Sequence, residues 1–202
     1  RLVAREIRRR GEDSIFAPTP PLEALRTIIM LAATPALWAP SWARYEGPHR
    51  IQMSFIDISR AYFNAKTTDE QPVYVELPPE DPDFGKDLCG RLNVHMHGTR
   101  QAADGWHCEY SGSMEEAGFS VGQSTACVFW NAEKHLYCSV HGDDFTTVGP
   151  KSSLDWFKGV LETKYELKEA ARIGPAEEDD KEARVLNRIV RWTASGLEYE
   201  AD

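Results

Sequence analysis

The chain has 202 residues, with 23 Lys+Arg against 32 Asp+Glu, a net charge of −9, and 42% hydrophobic and 10% aromatic residues; this is one domain's worth of ordinary globular composition and excludes intrinsic disorder. The most apolar stretch, residues 27–40, is broken by Pro35 and falls short of the roughly 18 uninterrupted apolar residues a membrane span needs. The acidic balance, taken alone, argues against a nucleic-acid partner, because phosphate binding is driven by Lys and Arg displacing counterions.

In chain order, Arg1 to Ala4 reads as strand, and the run Arg8-Arg9-Arg10 as a solvated basic loop. Pro20-Pro21 followed by Leu22, Leu25, Ile28 and Ile29 predicts a helix entered through proline and ending before Pro35. Gln52 to Ile58 alternates in β-favouring residues and carries a carboxylate, Asp57, at its end. Val73 to Leu77 reads as a short strand before a Pro/Asp-rich loop, and Leu88 to His97 as another strand. Ala102 to Ala117, with Trp106, Tyr110 and Met114 at four-residue steps, predicts a helix despite Gly105 and Gly112. Two apolar runs, Cys127 to Trp130 and Leu136 to Val140, read as a hairpin across Asn131 to Lys134. Leu154, Phe157, Val160, Leu161 and Tyr165 mark an amphipathic helix, Glu177 to Asp180 a solvated acidic loop, and Arg184 to Thr193 a last strand. Strands and helices mix without a βαβ rhythm, so the expected class is α+β.

Charge is unevenly spread. Residues 1–50 hold 8 Lys+Arg and 5 Asp+Glu, residues 51–150 hold 6 and 15, and residues 151–202 hold 9 and 12. Both ends of the chain read as cut from something longer, with no initiator Met and no secretory signal. Cys89, Cys108, Cys127 and Cys138 show no Cys-x-x-Cys spacing and read as free thiols in a reducing compartment. Cys89, His95, His97, His107 and Cys108 crowd one region, and His95 and His97 on a strand would point the same way; small core cysteines and a His97 in an aromatic slot are set against a zinc site here.

The most informative feature is His141-Gly142-Asp143-Asp144 directly after an apolar strand. Adjacent carboxylates repel, so they persist where solvent or a cation offsets the charge. Asp57 supplies a third carboxylate in the same context. Three Asp from two neighbouring strands can hold a pair of Mg²⁺ ions with open positions for phosphate oxygens, which suits phosphoryl or nucleotidyl transfer. A turn or helix cap remains the plain alternative for Asp143-Asp144 and for Asp57.

Segments along nearly the whole chain resemble, in order, the reverse transcriptase of Ty1/copia-type retrotransposons. Arg1 to Arg5, Ile15 to Pro18 and Ala24 to Arg26 are similar to its "ARLVA...TFAPV...IR" segment, Phe55 to Phe63 to "LDVKNAFL", Pro72 to Pro78 to "EVYMEQP", His97 to Trp106 to "YGLKQAPRAW", and Val140 to Phe145 to "YVDDIL"; Arg184 to Gly196 falls where the family has a "YLGI.I....G" hairpin. The resemblance implies a right-hand polymerase in which an antiparallel palm sheet packs on helices. It implies one reverse-transcriptase domain fragment over 1–202, with about 1–50 fingers-like, 51–150 palm, and 151–202 the rest of the palm and the start of the thumb.

Carried over by position, the resemblance makes Asp57, Asp143 and Asp144 the catalytic metal ligands for Mg²⁺, with Mn²⁺ as a substitute, and the Ile58 carbonyl a further ligand. Tyr62 becomes the aromatic beneath the incoming sugar, Arg100 and Gln101 line the nucleotide path, and His141 and Gly142, in place of Tyr and Val, contact the primer. The implied partners are an RNA or DNA template-primer, deoxynucleoside triphosphates and the remaining polyprotein domains, integrase and RNase H, with no membrane. The implied location is intracellular, in a cytoplasmic element particle and in the nucleus. Ala103 and Asp104 replace the Pro and Arg of "QAPRAW". Two other readings stand beside polymerase: a non-catalytic remnant that keeps the fold as a binding or structural module, and a different two-metal phosphotransferase or nuclease.

Overall fold

A computed structural model describes residues 3–4, 6, 18–43, 47, 49–70 and 72–201; the strand read at Arg1 to Ala4 lies partly, and the arginine run wholly, outside them. Helices and antiparallel sheet mix, so the chain is α+β as its pattern predicts. Among the described residues no helix is long and apolar enough to cross a membrane. The chain divides into two compact units.

The larger unit, Pro18–Ser59 with Ser113–Asp202, is built on a six-stranded sheet. Its strands are β1 (Ile51–Ile58), β4 (Ser120–Val121), β5 (Val128–Asn131), β6 (Leu136–His141), β7 (Asp144–Pro150) and β8 (Leu167–Ile173), in the order β4-β5-β6-β7-β1-β8. β1 is an interior strand next to the β8 edge, antiparallel to β7 on one side and to β8 on the other. One face of β1 presents Ile51, Met53 and Phe55. Helix α1 (Leu22–Ala33) lays its i, i+3, i+4, i+7 stripe of Leu25, Ile28, Ile29 and Ala32 against them, together with Ala183, Val185 and Val190. Pro21, extended at φ −62°, ψ 155°, precedes the helix, and the helix ends at Thr34, before Pro35. The other face meets α3 (Lys151–Glu162), whose Leu154, Phe157 and Leu161 are buried; Phe157 packs on Phe119 with centroids 4.9 Å apart.

Ala183, Val185 and Val190 come from a second, three-stranded sheet of β9 (Glu182–Val185), β10 (Arg188–Thr193) and β11 (Gly196–Ala201). The single strand read over Arg184 to Thr193 is therefore two. Leu186 and Asn187, at φ 48° and 57°, form a two-residue turn with both centres left-handed, the geometry that suits a tight hairpin. The acidic loop is not wholly solvated either. The Asp179 side chain is 4% exposed and accepts from the guanidinium of Arg50 and from Gln52 Nε2 at 2.6 Å.

The smaller unit centres on Arg60–Gly112 and takes in Val3, Ala4 and Glu6. It contains a 3-10 turn, Ala61–Asn64, and the two-stranded pair β2 (Tyr74–Glu76) and β3 (Cys89–Arg91). The strand read over Leu88 to His97 is confined to β3, because past Arg91 the pairing turns irregular: Leu92 N–H donates to the Val73 carbonyl, His95 N–H to the Ala65 carbonyl, and Lys66 and Val94 form an isolated bridge. His95 and His97 thus do not project from a strand. Helix α2 (Ala102–Glu116) follows the predicted span, with Trp106, Tyr110 and Met114 buried. No disulfide joins the four cysteines; Cys127 and Cys138 are buried but Cys89 and Cys108 exposed, so only two of them serve as core residues.

Candidate active site

The β6–β7 hairpin closes through two residues, Gly142 and Asp143, between the paired positions His141 and Asp144. Gly142 sits at φ +63°, which fits the hairpin turn that takes glycine first. A Cβ there would meet nothing within 4 Å, so the demand for glycine is torsional. Gly142→Val, the residue the resemblance would place here, is expected to cost about 1–3 kcal/mol, read as a lower urea midpoint; an unchanged midpoint would mean the turn relaxes freely.

This turn lies beside the end of β1. The Ile58 N–H donates to the Asp143 carbonyl at 2.9 Å, so Asp57 and Asp144, the next register pair, form a narrow, non-hydrogen-bonded pair with Cα atoms about 4.5 Å apart and side chains on one face. Like charges directly opposed across strands are destabilising. Burial pushes the Asp57 carboxyl above its usual range and Asp143 adds to the shift, while Lys168 pulls it back. Burial likewise raises Asp144, reinforced by Asp143 and then Asp57 and opposed by His141. Asp143 itself is exposed in the turn.

Lys168 escaped the sequence reading because β8 did. Its position depends on an irregularity: β1 pairs Phe55 with Ala171 but Ile56 with Glu169, and Asp57 with Lys168. An unbroken ladder would have set Glu169 opposite Asp57. The bulge exchanges that acid for a base. Glu169 instead accepts from Ser54 Oγ at 2.6 Å on the other face.

Of the remaining sequence candidates, Ile58 ends β1 fully buried, His141 lines a small cavity with Pro20, Leu22, Ser139, Asp144 and Leu186, and Gly142 is exposed. Tyr62, Arg100 and Gln101 belong to the smaller unit. Tyr62 is half-buried, its ring 4.4 Å from that of His97. The Arg100 N–H donates to Glu6 Oε2 at 2.8 Å, and Gln101 lines two clefts, one of about 730 Å³ shared with His95, Asp104 and Cys108, and one of about 520 Å³ shared with Ala4 and Tyr74.

Among the described residues no three His, Cys, Asp or Glu side chains are arranged to hold a metal ion. The three carboxylates are neighbours rather than a formed cage. Their donor set still suits a hard divalent cation: oxygen donors only, on adjacent strand ends, with Asp143 raising the cost of charge at both Asp57 and Asp144.

The profile of the family described as reverse transcriptase (RNA-dependent DNA polymerase) matches residues 1–175. The chain belongs to this family. The retrovirus-related Pol polyprotein from transposon TNT 1-94 of Nicotiana tabacum is 24% identical over 171 residues, covering 82% of this chain and 11% of the relative. The chain therefore spans about a tenth of that polyprotein's length, and the copia-type resemblance carried by its motifs holds for this reverse transcriptase segment. Measured against the motifs of the resemblance, Asp57, Asp143 and Asp144 are retained, while His141, Gly142, Ala103 and Asp104 differ.

Proposed function

We propose that this segment carries the palm and fingers of an RNA-directed DNA polymerase that joins a deoxynucleoside triphosphate to a primer 3′-OH by two-metal catalysis. The observation that carries the reading is the narrow pairing of Asp57 with Asp144 beside Asp143 in a chain of reverse transcriptase family. In this reading residues of about 1–50 are fingers-like, 51–150 form the palm with the three carboxylates, and 151–202 are the rest of the palm and the start of the thumb.

Asp57 and Asp144 offer oxygen donors from facing strands, Asp143 a third from the turn, and the Ile58 carbonyl a fourth. Mg²⁺, or Mn²⁺ in its place, supplies neutralising charge for the primer 3′-oxygen and the triphosphate when bound. Tyr62 lies beneath the incoming sugar, Arg100 meets phosphate, Gln101 lines the nucleotide path, and His141 and Gly142 hold the primer end. The partners are an RNA or DNA template-primer and the integrase and RNase H of the same polyprotein, in a cytoplasmic particle and the nucleus.

Primer extension by the longest protein that carries this segment, with Mg²⁺ or Mn²⁺, tests the reading. Incorporation of deoxynucleotides is expected; none with either ion favours the non-catalytic remnant, and hydrolysis without incorporation favours a nuclease. An independent measure is thermal denaturation. Divalent ion at about 100 times its dissociation constant is expected to stabilise the chain by about 2.7 kcal/mol. Because Asp57 and Asp144 hold their protons more tightly than usual, this gain fades as pH falls through the carboxyl range. An equal gain in Asp57→Asn would place the ion elsewhere.

A further inference from the structure

Tyr62 and His97 are brought together by backbone pairing. The Ala65 carbonyl accepts from His95 N–H at 2.8 Å, and Lys66 bridges to Val94, so the 3-10 turn bearing Tyr62 runs beside the segment bearing His97. The other edge of that segment is also held. Ala4 N–H donates to the His97 carbonyl at 2.8 Å and Glu6 N–H to the Gly98 carbonyl at 3.2 Å. Gly98 adopts φ +92°, and a Cβ there would collide with the Ala4 carbonyl, so glycine is what allows this close approach. The His97 backbone is thus fixed from both sides.

From that anchored backbone the imidazole meets two rings of the 3-10 turn, Tyr62 at 4.4 Å with planes tilted 50° and Phe63 at 6.0 Å edge-on. These separations match the range in which aromatic pairs attract and fix each other's orientation. Tyr62 is half-buried while Phe63 is exposed. Of the two, Tyr62 is the ring whose rotamer the imidazole limits.

We propose that His97 is a positioning residue that sets the Tyr62 ring and thereby the discrimination between deoxyribose and ribose. The inference rests on the polymerase reading above and deepens it. His97 touches no substrate; it restricts the ring that does. An aromatic wall excludes one extra hydroxyl only if it cannot yield, since a ring free to swing away admits the larger sugar. Ring volume behind Tyr62, not a titrating nitrogen, is what the role requires.

The test compares wild type with His97→Ala, His97→Phe, Tyr62→Ala and the double variant His97→Ala/Tyr62→Ala in primer extension with each deoxynucleotide and its ribonucleotide, by the longest protein that carries the segment. His97→Ala is expected to lower the preference for deoxynucleotide about tenfold or more, through a lower KM for ribonucleotide with kcat for deoxynucleotide little changed. His97→Phe should retain the preference, and the double variant should be no less selective than Tyr62→Ala alone, the non-additivity expected of residues acting as a unit. An active wild type whose selectivity is unmoved by His97→Ala, or not retained by His97→Phe, overturns the inference and leaves the polymerase reading intact. A wild type that incorporates neither nucleotide overturns both.

Discussion

Asn in place of Asp57, Asp143 or Asp144 is expected to reduce nucleotide incorporation by about 10³-fold or more, while Asp57→Asn and Asp144→Asn make the metal-free chain more stable. The two effects share one cause. Asp57 and Asp144 face each other across a narrow strand pair, with Asp143 in the adjoining turn, and both are harder to ionise than an ordinary carboxylate because of burial and the charge of Asp143, with Asp57 adding to the shift of Asp144. A carboxyl whose folded pKa is raised costs stability above that pKa, and the cost is relieved as pH falls through it. Removing the charge should therefore gain about 0.5–2 kcal/mol at neutral pH, with the gain shrinking in acid. Urea denaturation without divalent ions, at neutral pH and near pH 4, checks this. Variants that are both inactive and less stable at neutral pH would show the carboxylates to be structural caps.

Arg50→Ala is expected to be among the most damaging substitutions, costing about 3–5 kcal/mol. The Arg50 and Asp179 side chains are 6% and 4% exposed, and Asp179 also accepts from Gln52 and, at 3.0 Å, from Ala176 N–H. Losing the guanidinium leaves a buried charge unmatched. Burial pushes the Asp179 carboxyl up, but the hydrogen bonds from Arg50, Ala176 and Gln52 outweigh it and hold it below the usual range. Glu169 and Asp155 are likewise lowered, against burial, by Ser54, Arg172 and Lys158 and by Lys151 and Arg172. For such depressed groups the stabilisation is present above the unfolded carboxyl pKa of about 4 and is lost as pH falls through the folded value. Acid unfolding followed by circular dichroism should thus be shallower in Asp179→Asn than in wild type. An Arg50→Ala unfolding free energy within about 0.5 kcal/mol of wild type would mean water satisfies Asp179.

The elements that sequence reading recovers are those whose own residues carry a strong period. α1 shows its stripe of Leu25, Ile28, Ile29 and Ala32, and β6 and the hairpin it makes with β5 show largely apolar runs. β7 hides because Asp144 to Pro150 holds two threonines, a glycine and a proline, and is buried over its last six residues by strands on both sides. β8, with Lys168, Glu169, Ala170, Ala171 and Arg172 among its residues, favours helix by composition and is strand only because β1 offers an edge. Of the candidate site, the neighbourhood of Asp57, Asp143 and Asp144 is legible because one hairpin and one strand end deliver it. Lys168, His97 behind Tyr62, and the Arg50–Asp179 pair, 129 residues apart, are set by long-range register that no local pattern encodes.

The bulge between β1 and β8 turns strand length into a charge choice. Because opposite residues share a face, one residue more or less in β8 slides the ladder by a single step and decides whether Asp57 looks across at Lys168 or at Glu169. A change that a sequence comparison would score as a trivial gap in an ordinary strand is here equivalent to a substitution of Lys by Glu beside three carboxylates.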